Sequence, residues 1–119
     1  MTQILILEDN PAMASLLTVV ARHLKLECLQ FITPSQAIKE KAIEQAKFII
    51  SDFEMPPENA LLLLKYVKKN RIKTPIIMYS SAEDIVTTIE QAGYKDLINE
   101  YLEKPASIER IHALMTKYK

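Results

Sequence analysis

Apolar residues fall along this chain in short unbroken runs, and stretches of helical spacing separate them. Gln3-Ile4-Leu5-Ile6-Leu7, Phe48-Ile49-Ile50-Ser51 and Pro75-Ile76-Ile77-Met78-Tyr79 are rich in β-branched residues and are bounded by polar or turn residues, which is the mark of buried strands. A half-apolar run, 27–32, predicts an edge strand, and about 99–103 predicts a fifth. Between the runs the period changes. Met13, Leu16, Leu17, Val20 and Leu24 share one face of a helix that Asn10 caps and Pro11 opens. Thr33-Pro34-Ser35-Gln36 reads as a capping box starting a weaker helix through Ile38, Ala42 and Ile43. Ala60, Leu63, Leu64 and Val67 mark a third helix with Lys65, Lys68 and Lys69 on its wet side and Asn70 at its end. Ser81-Ala82-Glu83-Asp84 is an N-cap signature for a fourth, which carries Ile85, Val86 and Ile89 to a stop at Gly93. Residues 94–98 fit no period. The last helix packs through Ile108, Ile111, Leu114 and Met115. Five βα units with short links predict an α/β domain with a parallel sheet, right-handed crossovers and helices on both faces.

Composition narrows the function more than the fold. At 119 residues the chain is one domain, residues 1–119, with no repeat or internal linker. Fifteen basic and fifteen acidic side chains cancel, so no global field draws it to nucleic acid or anionic lipid. Neither direct nucleic-acid binding nor membrane insertion is expected. The single glycine, Gly93, excludes Gly-rich phosphate cradles. One cysteine, Cys28, makes no internal disulfide and is expected as a small core side chain in a cytoplasmic protein. His23 and His112 are expected on helix surfaces, and no zinc set is spelled out.

Three predicted strands end in candidate chemistry. The first empties into Glu8-Asp9, the third into Asp52 followed by Phe53-Glu54-Met55-Pro56-Pro57, and the fourth into Ser80-Ser81. In an open α/β sheet the crevice beyond the carboxyl ends of the strands is where ligands bind. Carboxylates crowded there repel one another and call for a compensating cation.

Glu8-Asp9, Asp52 with Met55-Pro56 three and four residues on, Ser80 with small Ser81, and Lys104-Pro105 together resemble the receiver domains of two-component response regulators. The resemblance runs the whole chain, in order and at the right strand ends. It implies a doubly wound five-stranded flavodoxin-like (βα)5 fold with strand order 2-1-3-4-5. It further implies that a histidine kinase or histidine phosphotransfer protein donates a phosphoryl group to Asp52, and that the protein acts by binding rather than as an enzyme. Asp9 and Asp52 would give carboxylates to Mg²⁺, Glu8 would act mostly through water, and Glu54 would offer its backbone carbonyl. Ser80 and Lys104 would hold phosphoryl oxygens, with Ser80 and Tyr101 forming a switch. Partners would then read the face made by the fourth helix, fifth strand and fifth helix, with homodimerisation on phosphorylation a further expectation.

Three features depart from the family pattern. Asn59-Ala60 stands where an Asp-Gly pair is common, about four extra residues lie between Gly93 and Tyr101 and imply an extended fourth helix or a remodelled output face, and Glu54 adds a carboxylate at the mouth. Two other readings stay open. One is a pseudo-receiver that binds partners without phosphorylation. The other is a haloacid-dehalogenase-like phosphohydrolase with Asp52 as nucleophile and Glu54 as acid, against which the third-strand position of Asp52 counts. Met1 directly before the first strand is expected of a natural N-terminus, and a single-domain regulator, a relay intermediate and a receiver from a longer chain all fit.

Overall fold

A computed structural model describes residues 3–81 and 84–119. Its central sheet has five parallel strands, β1 (Gln3–Leu7), β2 (Glu27–Phe31), β3 (Phe48–Ser51), β6 (Ile76–Ser80) and β7 (Glu100–Glu103), in the order β2-β1-β3-β6-β7. Counted among the sheet strands alone, this is the expected 2-1-3-4-5. A two-stranded hairpin, β4 (Glu54–Met55) and β5 (Glu58–Asn59), stands apart.

Alternation along the strands decides which helix covers which face. Ile4, Ile6, Phe48, Ile50, Ile77 and Tyr79 point to one side, where α1 (Pro11–His23) and α6 (Ile108–Tyr118) close a core with Leu17, Val20, Ile111 and Leu114. Leu5, Leu7, Ile49, Ile76 and Met78 point to the other, under α2 (Pro34–Lys39), α3 (Ala42–Gln45), α4 (Ala60–Lys69) and α5 (Ile85–Gln91). Since both faces are covered, β1, β3 and β6 are buried along almost their whole length and read in the sequence as continuous apolar runs.

Local chemistry fixes the ends of the helices. Asn10 Oδ1 accepts from the Ala12 and Met13 N–H groups and caps α1. Thr33 caps α2 through the Gln36 N–H, but Gln36 Oε1 reaches the Ile32 N–H rather than closing the box on Thr33. Asn59 Oδ1 accepts from the Leu61 N–H, so the residue that replaces the family's common pair does the work of an N-cap for α4.

Several expectations are corrected. The second predicted helix is two, because Lys41 takes a left-handed φ of 59° between α2 and α3. The extra residues after Gly93 do not lengthen α5. They form a 3₁₀ turn, Lys95–Leu97, beside α4 and α5. Ile108 and Val86, assigned to buried helix faces, are exposed: Ile108 opens α6 at the rim, and Val86 flanks a cavity. Residues 82 and 83 of the Ser81–Asp84 signature lie outside the described residues, and Asp84 makes no side-chain cap bond. Cys28 is half-buried against the α1–α6 core. Among the described residues no helix is long and apolar enough to cross a membrane.

Candidate functional site

Sheet register builds the site. Leu7 lies level with Ser51, and the Asp52 N–H donates to the Leu7 carbonyl at 2.8 Å, so the residues that follow β1 and β3 emerge side by side. Those residues are Glu8, Asp9 and Asp52. One carboxylate oxygen from each lies within 4.8 Å of the others, the only such group of acids, histidines or cysteines among the described residues. Glu8 is buried, Asp52 half-buried and Asp9 exposed, so the cluster runs from the sheet edge to solvent.

Lys104 arrives from the far side of the sheet. Ser80 pairs with Glu103 at the end of β6 and β7, and the Lys104 N–H donates to the Ser80 carbonyl at 3.0 Å. From there its Nζ donates to Glu8 Oε1 at 2.8 Å and stands 3.3 Å from Asp52 Oδ2. The ammonium also lies 5.0 Å from the centre of the Tyr79 ring, a cation–π contact that backs it with a buried aromatic. Backbone donors complete the frame. The Phe53 N–H donates to Asp52 Oδ1 at 2.7 Å, and the Asn10 N–H to Glu8 Oε2 at 3.3 Å.

The electrostatics follow from this packing. Burial pushes the Glu8 carboxyl above its ordinary value; the Lys104 hydrogen bond opposes that shift and the charge of Asp52 adds to it. Burial works against the Lys104 ammonium, but the hydrogen bond to Glu8 and the charges of Asp52 and Glu8 outweigh it and hold the pKa above the usual lysine value. An acidic cluster with one internal cation and hard oxygen donors is chemically suited to a divalent ion such as Mg²⁺, and Lys104 is placed to stabilise negative charge arriving at Asp52.

The structure thus brings Glu8, Asp9, Asp52 and Lys104 together, and shows that Lys104 meets Glu8 as well as Asp52. The Glu54 side chain is exposed and stands outside the acidic cluster. The Ala60 N–H donates to the Phe53 carbonyl, so in an antiparallel pair Glu54 and Asn59 form the non-hydrogen-bonded step and the Glu54 carbonyl is left off the hairpin ladder. Ser80 and Tyr101 line one cavity of about 370 Å³ with Met78, Ile85, Val86, Leu102 and Glu103. The Tyr101 hydroxyl is buried without a hydrogen-bond partner among the described residues, and burial raises its pKa, with the charge of Glu90 adding. Sequence reasoning missed Tyr79, Asn10 and Phe53 as parts of the frame. Only Tyr79 carried a signal, as the residue before a strand-end Ser80.

The family profile described as response regulator receiver domain matches residues 4–116. The transcriptional regulatory protein CrdR of Helicobacter pylori is 23% identical over 117 residues, covering 98% of this chain and 54% of CrdR. The chain spans about half the length of that relative and about a quarter of several others. Among solved structures, the Thermotoga maritima response regulator TrrA, in complex with Mg(2+)-BeF, has a TM-score of 0.81 at 19% identity, with 100% of both chains covered. The receiver domain of a sensor histidine kinase from Pseudomonas aeruginosa PAO1, with magnesium coordinated in its active-site cleft, has a TM-score of 0.79 at 21% identity, covering 98% of this chain and 96% of that one. With the profile match running from the first strand into the last helix, over a sheet of the same order and an acidic cluster at its carboxyl edge, this chain belongs to the response regulator receiver domain family.

Proposed function

We propose that the protein takes a phosphoryl group from the phosphohistidine of a histidine kinase or histidine phosphotransfer protein onto Asp52, and that the new charge changes which protein it binds. The carrying observation is the meeting of Glu8, Asp9, Asp52 and the Lys104 ammonium at the ends of β1, β3 and β7. Asp9 and Asp52, with the Glu54 carbonyl and Glu8 acting through water, would hold Mg²⁺, which neutralises charge on the phosphoryl oxygens when bound. An Asp52 oxygen attacks phosphorus, the bond from phosphorus to the donor imidazole breaks, and the electron pair leaves with the imidazole nitrogen. The Phe53 N–H orients the Asp52 carboxylate for that attack. Lys104, freed from part of its contact with Glu8, follows the new negative charge.

Ser80 and Tyr101 are the switch in this reading. Their shared cavity and the unpartnered Tyr101 hydroxyl support a core with a second arrangement available, into which the ring turns as Ser80 moves to the phosphoryl group. The output surface is then α5, β7 and α6, read by a protein partner or by a second phosphorylated copy, in the cytoplasm. The domain itself acts through binding and turns over no external substrate.

Intact mass spectrometry after incubation with acetyl phosphate and Mg²⁺ tests the site. One Mg²⁺-dependent phosphoryl adduct is expected on the wild type and none on Asp52→Asn, whose far-ultraviolet spectrum stays that of the wild type. An adduct retained in Asp52→Asn would refute the assignment of the acceptor. A wild type that neither accepts phosphate nor responds to Mg²⁺ would leave a receiver fold used for binding alone.

A further inference from the structure

Tyr79 stands near the end of β6, directly before Ser80, and takes no step in the transfer as proposed. We infer, resting on the reading of Asp52 as phosphoryl acceptor, that Tyr79 is a positioning residue for that transfer. Its ring holds the Lys104 ammonium by a cation–π contact, within reach of both Glu8 and Asp52.

Both ends of the contact are fixed, and only the lysine stem between them is free. Tyr79 is 1% exposed, pairs with Leu102 of β7 and packs into the core that α1 and α6 close. The Lys104 backbone is tied to the sheet through its N–H on the Ser80 carbonyl at 3.0 Å. A flexible four-carbon stem separates that anchor from Nζ, and ordering such a stem costs more rotamer freedom than ordering most side chains. Here Nζ stands 2.8 Å from Glu8 Oε1, 3.3 Å from Asp52 Oδ2 and 5.0 Å from the centre of the Tyr79 ring.

The chemistry of the ring suits this task. Its negative face attracts the cation, but it carries no net charge and so does not compete with phosphoryl oxygens for the lysine as a further carboxylate would. The ring stays in place while the charge on Asp52 changes, so Lys104 gives up part of its contact with Glu8 without swinging into solvent. Desolvation strengthens such a contact. The stacks on Tyr94 and Tyr118 use the exposed Lys68 and Lys117, whereas Lys104 is only 16% exposed and Tyr79 is buried. The Tyr79 hydroxyl has no hydrogen-bond partner among the described residues, so the ring is the part of Tyr79 that serves the site.

The rate at which acetyl phosphate with Mg²⁺ phosphorylates the protein, followed by intact mass, tests this role. Tyr79→Phe keeps the ring and should keep the rate to within about twofold. Tyr79→Leu should slow it about 3- to 20-fold, the worth of a partly desolvated cation–π contact. A phenylalanine fluorinated around the ring, in place of Tyr79, fills nearly the same space with its negative face weakened and should slow the reaction too. Equal rates for that analogue and Tyr79→Phe would mean that the ring only packs the core, and would overturn the positioning role. In a Lys104→Met background Tyr79→Leu should change the rate by less than about twofold; an undiminished effect there would also overturn it. The NMR signals of the Lys104 ε-methylene give a readout independent of phosphorylation: the ring face shifts them upfield in the wild type and in Tyr79→Phe, and Tyr79→Leu loses the shift. Identical signals in the wild type and Tyr79→Leu would refute the contact. A wild type that takes no phosphate would overturn the acceptor reading and the transfer role with it, whereas a wild type phosphorylated no faster than Tyr79→Leu would overturn the positioning role alone.

Discussion

Replacing Lys104 by Met keeps the length of the side chain and removes the one cation inside the acidic cluster. Its Nζ is 2.8 Å from Glu8 Oε1 and 3.3 Å from Asp52 Oδ2, and the three side chains are 16%, 1% and 12% exposed, so water screens the contacts only in part. At an effective dielectric constant of about 20 each contact is a gross attraction of about 5–6 kcal/mol. Much of this offsets the desolvation of the three groups and the repulsion between the carboxylates. Breaking a buried pair nevertheless leaves its other member uncompensated, and because this site opens to solvent at Asp9 the expected loss is about 2–4 kcal/mol at pH 7.5 without divalent ions. The loss depends on pH through Glu8. Its folded pKa is raised, chiefly by burial, so it contributes stability that is fully present below its unfolded value, about 4.3, and is lost as pH rises through the folded value. Removing Lys104 takes away the strongest influence that lowers that pKa, so the deficit of the variant opens above pH ~4.3 and is widest near neutrality. Urea unfolding followed by circular dichroism in chelator at pH 7.5 and pH 4.5 measures both ends. In the double variant Glu8→Gln/Lys104→Met the losses should fall short of additive by about 1.5–3 kcal/mol. A deficit under about 0.5 kcal/mol at pH 7.5, the same deficit at both pH values, or simple additivity would refute the account of the cluster.

Other perturbations probe the frame around it. Asn59→Ala removes the Oδ1 that accepts from the Leu61 N–H and should cost about 1 kcal/mol in urea unfolding, with no cost if the loop after Asp52 holds α4 unaided. Gly93 has a φ of 85° with only Lys68 Nζ near the place a Cβ would take, so Gly93→Ala should lower stability by about 1–2 kcal/mol through backbone strain rather than collision. The Tyr79 hydroxyl is buried without a partner among the described residues, so Tyr79→Phe should be neutral or stabilising by up to about 1 kcal/mol. Destabilisation of that variant would mean the hydroxyl is satisfied in solution.

The same contrast runs through the fold. β1, β3 and β6 are legible as apolar runs because both their faces are covered, and α1 and α4 because one face of each is wet and the other is not. Asn10, Thr33 and Asn59 act within three residues of themselves, and the first two are visible as caps for that reason. In the sequence Asn59 stands out only as a departure from the family's usual pair. The break at Lys41 and the 3₁₀ turn at 95–97 escaped because neither has a period, and the apolar pattern continues across the break.

By itself the sequence determined the alternating elements, the strand ends that carry Glu8, Asp9, Asp52 and Ser80, and, through resemblance, the order of the sheet. Those features are local, or are repeated by a whole family. Tertiary structure alone decided that Lys104 lies against Glu8 across 96 residues, that Tyr79 backs the ammonium, and that His23 meets His112. Each depends on the register between strands or on how two helices pack over one sheet face. A side chain's distant neighbours are set by where the backbone ends up, and hydrophobic spacing along the chain records only which way that side chain faces.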